Sequence, residues 1–117
     1  MIMPDCLFCK IAQQEIAADI VYQTDTVIAF NDIHPKAPQH ILVIPKKHIA
    51  SLNHIGPADR DLLADILLAI KEVATIKEIA ENGYRVIVNT NNHAGQEVDH
   101  LHFHVLGGRN LGPMVAK

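Results

Sequence analysis

Apolar and polar residues recur along this chain with periods that predict five strands and one main helix. Short runs rich in β-branched residues and bounded by turn residues predict the strands, which cover residues 19–23, 26–31, 40–45, 84–90 and 99–106. The run 40–45 is apolar throughout, which is typical of a central strand. Between the second and third strands, residues 34–38 must form a loop because two prolines interrupt regular structure. The pattern predicts an α+β domain with a mainly antiparallel sheet.

The main helix is predicted between the third and fourth strands. Gly56-Pro57-Ala58-Asp59 marks its start, because proline suits the first helical position and aspartate suits the positive end of the helix dipole. Apolar residues then recur at three- and four-residue steps from Leu62 to Ala74, and Ile76 and Ile79 widen the stripe. Asn82-Gly83 is predicted to end the helix. Because a broad apolar stripe needs a second surface to cover it, we expect a homodimer.

Histidines alternate with apolar residues in the last predicted strand. Because an extended strand sends successive side chains to opposite faces, His100, His102 and His104 share one face. The apolar residues between them point the other way, into a core: Leu101, Phe103 and Val105. The ordinary alternative is a half-exposed strand, but the polar face of such a strand usually carries Thr, Ser, Lys or Glu. Three imidazoles in register favour a role as nucleophile, proton carrier or metal ligand.

Composition and charge narrow the class of protein. The 117 residues suit one domain, residues 1–117, and ten basic against thirteen acidic side chains give a net charge of −3. That balance predicts no nucleic-acid partner. No apolar stretch approaches the roughly 20 residues of a membrane span, so we expect no membrane partner. The start lacks the pattern of a secretory signal, and the two cysteines lie too close for an ordinary structural disulfide, which predicts a reducing, cytoplasmic location.

Several segments occur in an order and spacing that resemble one known family. They are Phe30 to Ile33, Ala37 to Pro45, Gly83 to Arg85, Val88-Asn89, Gly95 to Val98, and His100 to Leu106 followed by Gly107-Gly108-Arg109. Together they resemble the histidine-triad (HIT) superfamily, specifically its Hint branch of purine nucleoside phosphoramidases, and the tail from Leu111 to Met114 resembles the bacterial members. The resemblance implies a HIT-like fold, with a five-stranded sheet, one main helix, a short N-terminal helix, and dimers that join two sheets.

The resemblance also implies which histidines are catalytic. His102 would be the nucleophile that attacks the α-phosphorus of a nucleoside phosphoramidate, so that the amine leaves and water resolves a nucleotidyl-histidine. Imidazole suits this role because it is nucleophilic near neutral pH and its N–P bond is labile. His104 would donate to the phosphate or the leaving group, and His40 would support it. The ordinary alternative for His40 is a buried histidine at a strand end. No cofactor would be required for catalysis.

Substrate-binding residues are implied in the same way. Asn89, Gly95, Gln96 and Glu97 match the phosphate-contacting loop, and Asp32 matches the carboxylate that accepts both ribose hydroxyls. Glu97 departs from the serine of many animal relatives. Because a carboxylate beside a phosphate is repelled, its side chain is expected to point away from the phosphate or to contact the leaving amine. Four apolar residues match the purine slot, although packing in the core is the ordinary alternative for each: Phe8, Ile16, Phe30 and Ile33.

The pair Cys6-x-x-Cys9 has three interpretations: a redox pair, two unlinked structural cysteines, or half of a tetrahedral zinc site. The N-terminus lacks the strand pattern of a redox fold. Some HIT proteins complete such a site with two histidines, and the matching positions here are His48 and His100. The resemblance therefore implies a structural zinc ion. The histidines at positions 34, 54 and 93 match no motif and are expected to be solvated in loops.

Two other functions stay open at this point. One is hydrolysis of dinucleoside polyphosphates within the same superfamily, although Gly107-Gly108-Arg109 after the histidines favours the Hint branch. The other is a protein without catalytic activity that binds a metal or a nucleotide, since imidazoles two residues apart can chelate a transition metal. Purine nucleoside phosphoramidate hydrolysis is the leading hypothesis.

Overall fold

Five strands form one antiparallel sheet in the computed structural model of the chain, which describes residues 5–116. They are β1 (Ile20–Gln23), β2 (Val27–Asn31), β3 (Gln39–Pro45), β4 (Tyr84–Ile87) and β5 (Phe103–Gly107). The order across the sheet is β1-β2-β3-β5-β4, and each neighbouring pair is antiparallel. The apolar run of β3 therefore lies in the middle of the sheet, as its sequence predicts.

Three α-helices accompany the sheet in the part of the chain that the structure describes. They are α1 (Leu7–Ala12), α2 (Arg60–Ile76) and α3 (Asn91–Ala94). A 3₁₀ turn, Pro57–Asp59, leads directly into α2, so the predicted helix start is confirmed. The short N-terminal helix implied by the resemblance is present as α1. Within residues 5–116, no helix has both the length and the apolar character that crossing a membrane requires.

The two faces of the sheet are covered by different helices. On one face, α2 packs against the inward residues of β2 and β3, including Val27 and Val43, and against Val105 of β5. On the other face, α1 places Phe8 against Phe30 and neighbouring apolar side chains. Because strand residues alternate between faces, the centre of the sheet is apolar on both sides. This two-sided burial is the reason β3 reads as a continuous apolar run.

The main helix ends earlier than its sequence predicts. It stops at Ile76, and the prediction of an end at Asn82-Gly83 is wrong. Glu78 adopts a left-handed conformation with φ of 58°, and the amide of Ile79 donates to the carbonyl of Ala74 at 3.0 Å. This arrangement is that of a helix-terminating Schellman turn, with glutamate at the position where glycine is usual. It folds Ile79 back into the core, so the apolar spacing continues although the helix does not.

The last two strands are also shorter at one end than predicted. Strand β4 ends at Ile87, and β5 begins at Phe103, so His100 and His102 precede the strand. The chain leaves the sheet there because the amide of Leu101 donates to the carbonyl of Ile49 at 2.6 Å instead of to a neighbouring strand. The alternation of faces nevertheless continues, since Leu101 lies in the core under α2 together with Phe103.

Candidate active site

Two adjoining cavities open on the sheet face that α1 partly covers. The larger has a volume of about 470 Å³ and is lined mainly by polar side chains. The smaller has a volume of about 290 Å³ and is lined mainly by apolar side chains of α1, β2 and the segment after α1. Residues that line both cavities are Asp32, His34, Glu97, His102 and His104. The two cavities therefore form one cleft with a polar end and an apolar end.

His102 lies at the junction of the two cavities, and its imidazole is held by its own chain. Its Nδ1 lies 2.7 Å from the carbonyl oxygen of His100. Because a carbonyl only accepts hydrogen bonds, Nδ1 carries the proton and Nε2 has the unshared pair. The ring is 6 % exposed and contacts the rings of Phe8 and His104, each with a centroid separation of 5.1 Å. His102 is thus an imidazole held by its own backbone, with Nε2 as the unprotonated nitrogen.

His40 and His104 form a hydrogen-bonded pair beside His102. The backbone amide of Lys36 donates to Nδ1 of His40 at 3.0 Å, so the proton of neutral His40 resides on Nε2. That Nε2 donates to Nδ1 of His104 at 2.9 Å, which leaves the proton of neutral His104 on its own Nε2. A carboxylate oxygen of Asp32 lies 3.4 Å from Nε2 of His40. The pair ends in an N–H donor on His104.

Burial keeps this pair uncharged near neutral pH. Burial lowers the pKa of His104 to about 4, and the nearby imidazoles of His102 and His40 lower it further, whereas Asp32 opposes the shift. Burial likewise lowers the pKa of His40, again against Asp32. A bound phosphate would therefore meet one neutral N–H donor here, on His104, instead of two imidazolium charges.

The predicted substrate-binding residues divide between the two ends of the cleft. Asn89 and Gly95 line the polar end. The four predicted purine-slot residues line the apolar end. Of these, Phe8 and Phe30 are buried, whereas Ile33 is 85 % exposed. Asp32 borders both ends, and its Oδ1 accepts a hydrogen bond from the amide of His34 at 2.8 Å.

Gln96 and Glu97 are placed differently from each other. The side-chain amide of Gln96 donates to the carbonyls of Ala50 and Val98, at 2.8 and 3.0 Å, and its oxygen accepts from the amide of Asn91. Gln96 lines neither cavity and instead holds the loop that carries its neighbours. Glu97 is exposed and borders both cavities.

Two further residues of the cleft carried no assigned role in the sequence. His34, expected to be a solvated loop histidine, is exposed but borders both cavities. Lys36 lines the polar end, and its ammonium donates to the carbonyl of His34 at 2.9 Å. The available signal was their position in the proline-bounded loop between Asp32 and His40, two residues that the resemblance already implied.

The four predicted zinc ligands are brought together beside the cleft, at the start of α1. Nδ1 of His100 lies 3.3 Å from Sγ of Cys6 and 3.5 Å from Sγ of Cys9, and Nδ1 of His48 lies 3.3 Å from Sγ of Cys9. All four ligand atoms lie within 4.8 Å of one another. Zinc bonds of about 2.0–2.3 Å in a tetrahedron would separate ligand atoms by roughly 3.3–3.8 Å. The spacing and the donor set therefore fit zinc.

The hydrogen bonds of His100 also suit a metal ligand. Its Nε2 lies 2.8 Å from the carbonyl oxygen of Pro45 and must donate to it, so the unshared pair is on Nδ1, the atom that faces the cysteines. Burial lowers the pKa of His100 to about 4, opposed by the Pro45 hydrogen bond, which favours the neutral form that binds metals. The four predicted zinc ligands thus form a group separate from the hydrogen-bonded pair of His40 and His104.

A comparison with protein families assigns the chain. The HIT domain model matches residues 13–111, and the chain belongs to the HIT family. The protein is 49% identical over 112 residues to the purine nucleoside phosphoramidase of Escherichia coli (strain K12), an alignment that covers 96% of this chain and 94% of that relative. The family predicted from the sequence is thereby confirmed.

Solved structures agree with this assignment. A HIT family hydrolase from Legionella pneumophila Philadelphia 1 superposes with a TM-score of 0.90 at 50% sequence identity, covering 92% of this chain and 96% of that one. A histidine triad protein from Clostridium difficile superposes with a TM-score of 0.94 at 46% identity, covering 98% of this chain and 100% of that one. The predicted HIT-like fold is confirmed.

The hydrogen bond from His102 to the backbone predicts an unusual ring tautomer. In a long-range ¹H–¹⁵N correlation spectrum at mildly alkaline pH, His102 should show the proton on Nδ1, because the carbonyl of His100 accepts it. His93 is exposed and serves as the internal control, with the tautomer mixture of a solvated imidazole. A proton on Nε2 of His102 would contradict the tautomer that this hydrogen bond assigns.

Proposed function

We propose that this protein is a hydrolase that cleaves the P–N bond of purine nucleoside phosphoramidates through a nucleotide bound to His102. The observation that carries the proposal is the hydrogen bond from Nδ1 of His102 to the carbonyl of His100, which leaves Nε2 unprotonated at the junction of the cleft. The E. coli relative, whose name states this activity, supports the substrate class.

The chemistry follows from this arrangement in two steps. Nε2 of His102 attacks the α-phosphorus, the P–N bond breaks, and the amine nitrogen keeps the bonding pair and takes up a proton. The new imidazolium retains its Nδ1 proton, which the carbonyl of His100 stabilises. The oxygen of a water molecule then attacks the phosphorus, and the proton which that water loses balances the proton that the amine gains. The bond to Nε2 breaks, its electron pair returns to His102, and the nucleoside monophosphate leaves. The N–H of His104 donates to the phosphoryl group, where negative charge accumulates.

The two ends of the cleft suit the two ends of a nucleotide. We place the purine against Phe8, Phe30 and their apolar neighbours, and the phosphate near Asn89 and Gly95. Asp32 borders both ends, where a ribose connecting them would lie, and its two oxygens can accept from two hydroxyls. Glu97 borders the same junction, so its carboxylate is available to the leaving amine, whereas Gln96 acts by holding the loop.

A metal-binding role for the histidine face is disfavoured by its hydrogen bonds. Asp32, His40 and His104 do lie close enough to surround an ion. However, Nδ1 of His40 already accepts from the amide of Lys36, so its Nε2 is protonated and has no pair to offer a metal. In the four predicted zinc ligands, in contrast, thiols and imidazole nitrogens face one another.

Replacing His102 should remove the activity without unfolding the protein. For His102→Ala, we expect kcat/KM for adenosine and guanosine phosphoramidates to fall at least about 10³-fold, because the nucleophile is absent. The control His93→Ala alters an exposed histidine that lines neither cavity and should stay close to the parent value. Diadenosine tetraphosphate should be a poor substrate by comparison. A folded His102→Ala variant with full phosphoramidase activity would refute the mechanism.

We also propose that Cys6, Cys9, His48 and His100 hold a structural zinc ion. The ion would connect α1 to the segment just before His102, and it would take no part in bond cleavage. The distances between the ligand atoms and the Pro45 hydrogen bond of His100 support this site. Cys6 and Cys9 form no disulfide, which suits a reducing compartment such as the cytoplasm.

Elemental analysis tests the zinc proposal. The purified protein should contain about one zinc ion per chain. His48→Asn should lose the ion at a chelator concentration that the parent protein withstands, and its melting temperature should fall, because one of four ligands is missing. The control His54→Asn alters a histidine that bonds Ser51, and it should retain zinc. Equal zinc retention by the two variants would contradict the assigned ligands.

A homodimer is the further assembly that we propose. Strand β4 is at one edge of the sheet. Helix α2 packs mainly against β1, β2 and β3, so two side chains of β4 stay partly exposed, Val86 at 41% and Tyr84 at 38%. Leu67 and Leu68 on α2 are also more than half exposed. An unpaired edge strand with apolar side chains is a surface that a second copy can cover.

Sedimentation equilibrium measures the assembly. We expect the mass of two 12.9 kDa chains for the parent protein. Val86→Lys should shift the protein towards the monomer, because it places a charge on the uncovered part of the sheet. The control Val115→Lys changes an even more exposed valine, in the C-terminal tail, and should leave the dimer intact. A monomeric parent protein would refute the proposal.

A further inference from the structure

The hydrogen bonds of His40 and His104 have a direction that is set outside the pair. The chain starts at the amide of Lys36, which donates to Nδ1 of His40, and continues from Nε2 of His40 to Nδ1 of His104. A backbone amide can only donate, so it cannot reverse as a side-chain hydroxyl or amide can. The direction of the hydrogen bond from His40 to His104 follows from that one amide.

An additional proton does not fit on this pair. If His40 bound a second proton, its Nδ1–H would face the N–H of Lys36. If His104 bound one on Nδ1, that N–H would face the Nε2–H of His40. In either case two donors would meet inside a largely buried site, and one hydrogen bond would be lost. The geometry therefore opposes protonation of both rings, independently of how deeply they are buried.

The amide of Lys36 is held in place by the surrounding chain. The guanidinium of Arg109 donates to the carbonyl of Lys36 at 3.3 Å. Gly108 has φ of +98° and approaches Pro38 so closely that an added Cβ would lie 2.8 Å from the Cβ of that proline. The loop that contains Lys36 is thus connected to the residues that follow β5 at two points, the carbonyl of Lys36 and the ring of Pro38.

We propose that the backbone amide of Lys36 is a positioning group that keeps His40 and His104 uncharged, so that His104 donates a hydrogen bond to a phosphoryl oxygen without transferring its proton. This inference rests on the proposed function and decides between the two roles of His104, donor to the phosphate or acid for the leaving group. When the P–N bond breaks, the bonding pair stays on nitrogen and the amine takes its proton from a water molecule. The hydroxide that remains attacks the phosphorus in the second step, when the bond to Nε2 of His102 breaks. His104 keeps its Nε2 proton throughout.

The charged and titratable groups around the pair have opposing effects. Asp32, from the loop after β2, favours a positive imidazole, whereas the ammonium of Lys36 and the ring of His102 oppose it. His34 and Glu97 also line the same cavity. The net result is a lowered pKa for both rings, with burial as the largest cause, and this direction agrees with the constraint that the amide imposes.

Substitution of Lys36 by proline or alanine separates the amide from the side chain. Lys36→Pro removes the N–H, which frees Nδ1 of His40 to take a proton, and the pKa of His104 should then rise by about one unit or more towards the value of a free imidazole. Lys36→Ala keeps the N–H and removes only the ammonium, so both rings should keep the proton on Nε2 and the pKa should change far less. Histidine ¹⁵N shifts measured against pH report both quantities.

Activity gives a second readout of the same pair of variants. For Lys36→Pro, kcat/KM should acquire an ionisation in the range where free imidazole titrates, mainly through kcat, whereas Lys36→Ala should keep the shape of the parent profile. Equal effects of the two variants on the pKa of His104 would overturn the proposal. So would a His104 that titrates near the ordinary imidazole value in the parent protein.

One measurement needs no variant and covers the case in which Lys36→Pro does not fold. In ¹⁵N-labelled parent protein, scalar couplings across N–H···N hydrogen bonds should connect the Lys36 amide to Nδ1 of His40, and Nε2 of His40 to Nδ1 of His104. Absence of both couplings would refute the proposal. These results concern the free protein, so they can fail while His102 remains the nucleophile, and the reverse also holds.

Discussion

His100 is the residue on which the geometry of the site depends. Its side chain is fully buried, Nε2 donates to the carbonyl of Pro45, and the unprotonated Nδ1 faces the thiols of Cys6 and Cys9. Its own carbonyl accepts the proton of His102. Leaving any such buried polar group without its partner would cost about 1–3 kcal/mol. One residue therefore joins the end of β3, the start of α1 and the imidazole that we assign as the nucleophile.

The two faces of the sheet have different roles, one in packing the core and the other in forming the cleft. The face under α2 is filled with aliphatic side chains, including Val27, Val43 and Val105. The opposite face carries His40 and His104 on neighbouring strands, next to the apolar contacts of α1. Because side chains alternate along each strand, the same residues that build the core also fix the direction of the imidazoles. The two imidazoles are thus held by strands in the centre of the sheet, which is buried on both faces.

Much of this arrangement was predictable from the sequence, for a physical reason. The period of two in the histidine run correctly predicts that Leu101 and Phe103 point to the core and that the histidines share the other side. The period says nothing about hydrogen bonds, so it could not show that His100 lies outside the strand. The helix end was missed for a related reason, since Glu78 occupies a left-handed position that its residue type does not favour.

Two parts of the site lay beyond sequence reasoning because they depend on the backbone. The amide of Lys36 determines which nitrogen of His40 carries the proton. Because almost every residue type has a backbone N–H, the sequence could not indicate this contact. Gln96 has the chemistry of a phosphate ligand, and only the structure reveals that its side-chain amide donates to the carbonyls of Ala50 and Val98. The resemblance to the HIT family therefore implied most of the side chains that gather in the cleft, and the structure was needed to assign their hydrogen bonds.

Trapping the reaction intermediate tests the central claim most directly. The protein would be mixed with a slowly hydrolysed purine nucleoside phosphoramidate, quenched under alkaline conditions that preserve phosphohistidine bonds, and mapped by tandem mass spectrometry. The account predicts one nucleoside monophosphoryl group on His102, attached through Nε2 because the carbonyl of His100 holds the proton on Nδ1. A nucleotide on any other residue, or on Nδ1 of His102, would contradict it.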